Sequence, residues 1–240
     1  MAAIYLIRHG QASFGKADYD QLSDNGIKQS KILGKHWKLR SVPCKTYSGD
    51  LLRHGQTLEY FMESFQNEQI PVVLHSGFNE LDHCDVIQSF KPQWEDLYAL
   101  KAYVDKQENP EKALIKEFNL SLEHWVENSD CDKYKETWSQ FKERCIRALQ
   151  DVIAQELENK RRVNKSEEVN DILIFTSSGT ISVIIQHIME LSDKQTLMII
   201  QQMRNTGVTK LLFSDKKLSI DYINNYSHLE LAAPDSVTLI

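Results

Sequence analysis

At 240 residues the chain is long enough for one sizeable core, and 41% hydrophobic with 26% charged residues is the balance of an ordinary soluble globular protein. A net charge of −6 excludes the basic field of a general nucleic-acid binder, although a local pair of arginines can still hold a small anion. No apolar run approaches a membrane span, and no basic segment leads into a long apolar stretch at the N-terminus, so a cytoplasmic protein with no membrane partner is expected.

In chain order, Ala2 to Ile7 is an apolar run of strand-forming residues that breaks off into Arg8-His9-Gly10. This is the pattern of a buried parallel strand delivering polar groups at its carboxyl end, where ligands of open α/β sheets sit. His9 can serve as nucleophile, base or ligand, and Arg8 presents a planar cationic fork. Gln11 to Gln21 is a polar loop with Ser13, Phe14, Gly15 and Tyr19. Ser23 is the expected N-cap of a helix whose apolar face carries Ile27, Ile32, Leu33 and Trp37. Lys45 to Ser48 is a short strand, and a turn leads from it into a helix with Arg53, Thr57, Leu58, Phe61 and Phe65. The tripeptide Arg53-His54-Gly55 repeats the first one, but in a helical context.

Val72 to His75 is the next strand and runs into Phe78-Asn79-Glu80. From Asp85 to about Glu158 the character is helical, with Trp94, Leu97 and Tyr98 at helix spacing and a stripe of Tyr134, Trp138, Phe141, Cys145, Leu149 and Val152 on a longer helix; packing is the expected role of these aromatics. The charged stretch Asn159 to Asn170 reads as a solvated loop. Asp171 to Thr176 is a strongly apolar strand, followed by the Ser177-Ser178-Gly179 turn and a helix from Thr180 to Leu191, a helix N-terminus favourable to anions. A helix near Lys194 to Met203 and strands over Gly207 to Phe213 and Leu218 to Ile223 complete the chain. Cys44, Cys84, Cys131 and Cys145 have no paired spacing and are expected as thiols of a reducing compartment. The Asp82-His83-Cys84-Asp85 cluster lacks metal-ligand spacing, and no metal or cofactor is expected.

Arg8 with His9, Arg53, Glu80 and the Ser177 to Gly179 turn each fall just beyond a strand, and parallel strands would bring all four to one rim. Two guanidinium groups and a helix N-terminus suit a dianion, a neutral imidazole is a nucleophile, and a carboxylic acid is a proton source.

These segments resemble, in order, the signature motifs of the histidine phosphatase superfamily, in its phosphoglycerate mutase-like branch. Leu6 to Ala12 is similar to its leading motif, Leu22 to Gln29 with Leu33-Gly34 to its first helix, and Ser48 to Thr57 to its second arginine segment. Phe78 to Glu80 is similar to its acid segment, Ile174 to Ile181 to the later strand and turn, and Asn225 to Leu229 to a C-terminal element. The resemblance implies a single domain over 1–240: a three-layer α/β sandwich with a mostly parallel central sheet flanked by helices and a helical insertion at about 85–165. It implies phosphorylation of His9, phosphoryl binding by Arg8 and Arg53 with Ser177 and Ser178 at the turn, and proton transfer by Glu80. The pattern has a second histidine where this sequence has Ser177. His83 and His54 are the candidates to replace it, and His228 and Gln11 are candidates for support. The expected activity is hydrolysis of a small phosphorylated metabolite through a phosphohistidine. The alternatives are a weak or inactive phosphate-ligand-binding protein of the same fold and a mutase-like phosphotransferase.

Overall fold

The structure is a computed structural model and describes residues 2–13, 20–40, 42–66, 70–94, 97–128, 132–162 and 171–239. The expectations for Phe14, Gly15, Tyr19, Cys131, Lys165 and the rest of the charged stretch over 163–170 lie outside the described residues. Six strands, β1 (Ala2–Arg8), β2 (Lys45–Ser48), β3 (Val72–Leu74), β4 (Ile172–Thr176), β5 (Val208–Phe213) and β6 (Leu218–Asn225), form one sheet in the order β3-β2-β4-β1-β5-β6. The β3, β2, β4 and β1 pairings are parallel, while β5 runs antiparallel to both β1 and β6.

All seven residues of β1 and all five of β4 are buried, the signature of parallel strands covered on both faces. Alternation sorts their side chains into two cores. Ile4, Leu6, Ile172 and Ile174 pack with Ala148, Leu149 and Val152 of α6 (Trp138–Arg162) and with Ile181, Ile184 and Ile185 of α7 (Ser178–Met189). On the other face Tyr5, Ile7, Leu173 and Phe175 pack with Leu33 and Trp37 of α1 (Asp24–Trp37) and with Leu58, Phe61 and Phe65 of α2 (Leu52–Phe65). The result is the expected three-layer α/β architecture. Each such side chain withdrawn from water contributes about 1.5–3 kcal/mol before the entropy of ordering is counted.

Two compact units divide the chain, Met1–Glu80 with Cys145–Ile240, and Leu81–Arg144. The insertion is therefore shorter than the expected 85–165, because α6 changes role along its length: from Ala148 onward its apolar face belongs to the sheet core. The same helix runs on to Arg162, so Asn159 to Arg162 are helical rather than part of a loop. The 81–144 unit holds α3 (His83–Phe90), α4 (Leu97–Val104), α5 (Pro110–Glu127) and the start of α6. Its core gathers Trp94 with Ile87, Leu100 and Val104, and Trp125 packs edge-on against Trp138, so these aromatics are structural. Trp94 precedes α4 instead of joining it, and Tyr98 is exposed.

Ser23 caps α1 as expected, its Oγ accepting from the Gly26 amide at 3.1 Å. The buried face of α1 differs from the expected one: Ile27 and Ile32 are only half-buried, whereas Gly26, Gln29 and Ser30 are buried with Leu33 and Trp37. The chain after β1 lies directly on this helix, where a Cβ on Gly26 would meet the Gln11 carbonyl oxygen at 2.2 Å. Gln29 fixes that approach, since its Oε1 accepts from the Gln11 amide at 2.8 Å and its Nε2 donates to the Ser236 carbonyl at 2.6 Å and to Thr238 Oγ1 at 2.8 Å.

Candidate active site

Because β1, β2, β3 and β4 are mutually parallel, the residues that follow them share one edge of the sheet. His9 leaves β1 with its amide donating to the Thr176 carbonyl at 2.9 Å, and its own carbonyl accepts from the Thr206 amide at 3.3 Å and from Asn205 Nδ2 at 3.2 Å. Its Nδ1 lies 2.7 Å from the Gly10 carbonyl oxygen. A carbonyl only accepts, so Nδ1 carries the proton and Nε2 the lone pair. The Gly10 amide donates to Thr57 Oγ1 at 3.0 Å, which in turn donates to the Arg53 carbonyl at 2.6 Å, so the leading loop is tied to the first turns of α2.

Burial holds the His9 pKa well below the ordinary imidazole value, and the Arg53 and Arg8 charges push it further in the same direction. Both guanidinium groups are buried yet differently engaged. Arg8 Nη1 donates to the carbonyls of Met203 at 2.6 Å and Leu239 at 2.7 Å, which anchors it to distant backbone. Arg53 Nη1 is paired with Asp20 Oδ1 at 2.5 Å, and Asp20 Oδ2 also accepts from the Leu52 amide at 2.7 Å near the start of α2.

Glu80 is buried, and its Oε2 accepts from the Gly179 amide at 3.0 Å and from Ser178 Oγ at 3.4 Å. The N-terminus of α7 thus receives an acceptor from within the chain, a Glu80 carboxyl oxygen. Its segment is stitched to the same turn, with Thr176 Oγ1 donating to the Phe78 carbonyl at 2.6 Å and Thr180 Oγ1 to the Asn79 carbonyl at 3.0 Å. Asn79 also pairs with Asp50 in the turn after β2. Ser177 is fully buried and its Oγ lies 2.6 Å from His54 Nε2, and the His54 ring centroid is 5.8 Å from that of His9.

His9, Arg53, His54 and Ser177 therefore form one connected group, with Arg8 on the same strand end and Glu80 on the adjoining turn. His83 belongs to the 81–144 unit and packs against Phe118, ring centroids 5.3 Å apart. His228 is buried with its Nε2 3.0 Å from Oγ1 of Thr206, the residue whose amide donates to the His9 carbonyl. Gln11 binds inward, its Oε1 accepting from Ser23 Oγ at 3.0 Å and Asn25 Nδ2 at 3.2 Å. Asp20, Thr57 and Asn205 were not singled out by sequence for these contacts, and their residue types in polar turns or on a helix carry no signal for them. Among the described residues no three His, Cys, Asp or Glu side chains gather into a metal-binding group, and Cys44, Cys84 and Cys145 are thiols. No helix among them is long and apolar enough to cross a membrane.

With the geometry in view, comparison with known proteins decides the family: the sequence profile of the histidine phosphatase superfamily (branch 1) matches residues 4–226. The chain belongs to the histidine phosphatase superfamily. The structure is similar to phosphoglycerate mutase from Bacillus anthracis, at 17% identity over 95% of each chain with a TM-score of 0.63. It is also similar to a mutant phosphoserine phosphatase from Entamoeba histolytica in complex with phosphoserine, at 18% identity over 95% of this chain and 100% of that one, TM-score 0.61. A third is mycobacterial glucosyl-3-phosphoglycerate phosphatase with inorganic phosphate, at 16% identity over 95% and 99%, TM-score 0.64. No curated protein sequence matches the chain. These structural neighbours include both phosphatases and a mutase, and at these identities the likeness is one of fold.

Three buried histidines give this superfamily member a pH signature. Burial lowers the His9 and His54 pKa values well below 6.5, with Arg53 adding to both, and lowers that of His228 to about 3 with His36 and Arg40 adding. In the unfolded chain each binds a proton near pH 6.5, so below that pH the unfolded state holds more protons and stability falls as pH falls. The slope approaches about 1.4 kcal/mol per pH unit for each of the three once the unfolded chain is protonated. Melting temperatures measured from pH 7.5 to pH 5 are expected to be flat at the upper end and to fall steeply below about pH 6.5. A profile level throughout would contradict neutral, buried imidazoles.

Proposed function

We propose that this protein is a phosphomonoester hydrolase that works through a phosphohistidine on His9 and needs no metal, acting on a small phosphorylated metabolite. The observation that carries the reading is the state of His9: a buried imidazole with its proton engaged by the Gly10 carbonyl, its lone pair left on Nε2, and two guanidinium charges keeping it neutral. Nε2 attacks phosphorus, the N–P bond forms as the ester P–O bond breaks, and Glu80 gives its proton to the departing alkoxide. Water then loses a proton to Glu80 and attacks phosphorus, the N–P bond breaks, and inorganic phosphate leaves. Arg53 and Arg8 offset the negative charge of the transferring group.

Arg53 is paired with the Asp20 carboxylate, so a phosphate dianion binds by displacing that partner or sharing the guanidinium with it. The relatives named above as phosphatases, with phosphoserine and inorganic phosphate in their structures, support a small phosphorylated ligand at this fold's site. The test is a denaturing quench at alkaline pH during turnover of p-nitrophenyl phosphate, followed by mass analysis at neutral to alkaline pH, where phosphohistidine survives. A phosphorylated peptide spanning His9, together with released phosphate, is the expected result. Phosphate that raises the melting temperature without turnover of any phosphomonoester in a broad panel would replace hydrolysis by binding alone.

A further inference from the structure

Among the described residues four besides glycine have a positive φ, and Thr206 is the odd one. Gln66 and Glu190 close the ends of α2 and α7, where a left-handed residue is ordinary, and Asn224 is of a type that tolerates it. Thr206, at φ 54°, is β-branched, fully buried and at no helix end, and its Cβ crowds the backbone in that conformation. A turn free of other demands would carry glycine here. The glycine stands one place later, at Gly207, where a Cβ would meet Asn224 Oδ1 at 2.4 Å.

What this turn holds explains the strain. Met203 to Gly207 clasps the end of β1: the Met203 carbonyl accepts from Arg8 Nη1 at 2.6 Å and the Gly207 carbonyl from the Arg8 amide at 3.1 Å. The His9 carbonyl accepts from Asn205 Nδ2 at 3.2 Å and from the Thr206 amide at 3.3 Å. Both peptide groups of His9 are therefore fixed, its amide on Thr176 and its carbonyl on this turn, and with Nδ1 on the Gly10 carbonyl the direction of Nε2 is set. Further side chains brace the turn from outside. Asn224 Oδ1 accepts from the Arg204 amide at 2.9 Å and its Nδ2 donates to the Gln202 carbonyl at 2.9 Å, while the Thr238 hydroxyl donates to Asn205 Oδ1 at 2.8 Å. Thr206 adds a bond that a glycine would lack, its Oγ1 lying 3.0 Å from Nε2 of the buried His228 in the helix Ser227–Ala232. A hydroxyl both donates and accepts, so either tautomer of neutral His228 makes this bond.

We propose that Thr206 and His228 are positioning residues for His9: the bond between them holds the turn in its left-handed conformation, and through the His9 carbonyl that turn aims Nε2 at phosphorus. Neither residue touches the substrate. Strain that a side-chain bond maintains beside a reacting group serves orientation rather than stability, because a nucleophile displaced by about 1 Å can lose about a hundredfold in rate. The inference rests on the hydrolytic reading above.

The experiment follows phenolate release from p-nitrophenyl phosphate in a single turnover with enzyme in excess, which reads the attack by His9 itself. Three quantities are recorded for each variant: the rate at saturation, the enzyme concentration giving half that rate, and the melting temperature. T206G adopts the left-handed conformation without strain but has no hydroxyl, so its melting temperature is expected to stay within about 5 °C of wild type. Its saturating rate is expected to fall about ten- to a hundredfold, with half-saturation moved by less than about threefold. T206S keeps the hydroxyl and is expected to recover most of that rate. H228F removes the partner and should lose about as much as T206G, and the double variant should be no slower than either single one. T206G at the wild-type rate, T206S as slow as T206G, or additive losses in the double variant would overturn the pair. T206G and H228F break one bond from its two ends, so either decides the matter where the other fails to fold. Absence of turnover in wild type would instead overturn the hydrolytic reading and the pair's role with it, so the two failures are told apart by the wild-type rate.

Discussion

Replacing His9 by alanine is expected to lower kcat/KM for a phosphomonoester by about four to six orders of magnitude, the scale seen when an enzyme loses its attacking group. The Gly10 carbonyl fixes the His9 tautomer and leaves its lone pair on Nε2, whereas His54 is bonded through Nε2 to Ser177 and its Nδ1 is buried against Gly49. Binding should suffer far less, because both guanidinium groups remain. The measurement is therefore paired, with steady-state kinetics on one arm and the rise in melting temperature with inorganic phosphate on the other. A variant that turns over within tenfold of wild type would remove His9 from the chemistry, whatever it does to the melting curve.

Glu80→Gln should have the second largest effect, and its form depends on the substrate. The glutamine oxygen can still accept from the Gly179 amide, so the segment stays in place while its proton-transfer capacity is lost. For an alkyl phosphate, whose leaving alkoxide needs a proton, the rate is expected to fall by about two to four orders of magnitude. For p-nitrophenyl phosphate the leaving phenolate departs unaided, so phosphorylation of His9 continues while water attack is slowed. Stopped-flow traces should then show a burst of one phenolate per chain followed by slow turnover. Equal losses for both leaving groups and no burst would place the acid elsewhere.

Much of this arrangement was legible in the sequence because it depends on local patterns. Unbroken apolar runs at Ala2 to Ile7 and Asp171 to Thr176 could only be strands buried on both faces, and the polar residues directly after them had to lie at strand ends. Contacts between residues distant in sequence were not legible. Arg8 read as a cationic fork, but its Nη1 is tied to carbonyls nearly the whole chain away, and Arg53 gave no hint of Asp20. Gln29 is not among the residues of the apolar face expected of α1, yet it is buried because Gly26 lets the Gln11 backbone press onto the helix. The end of the insertion was misplaced because α6 keeps one amphipathic stripe through both units, and a stripe carries no mark of which core it enters. His54 was one of two histidines weighed for the place of Ser177, and only the fold separates it from His83, which packs on Phe118.

The carboxylate of Asp20 against Arg53 also bears on how the protein treats simple salts. A guanidinium that already has an internal counterion offers chloride or other monovalent anions little gain, since they would have to break a charge-assisted contact and give back less than it was worth. A doubly charged phosphoryl group can outbid it. Inhibition should therefore separate by valence, with phosphate and vanadate competing at concentrations where chloride leaves the rate untouched.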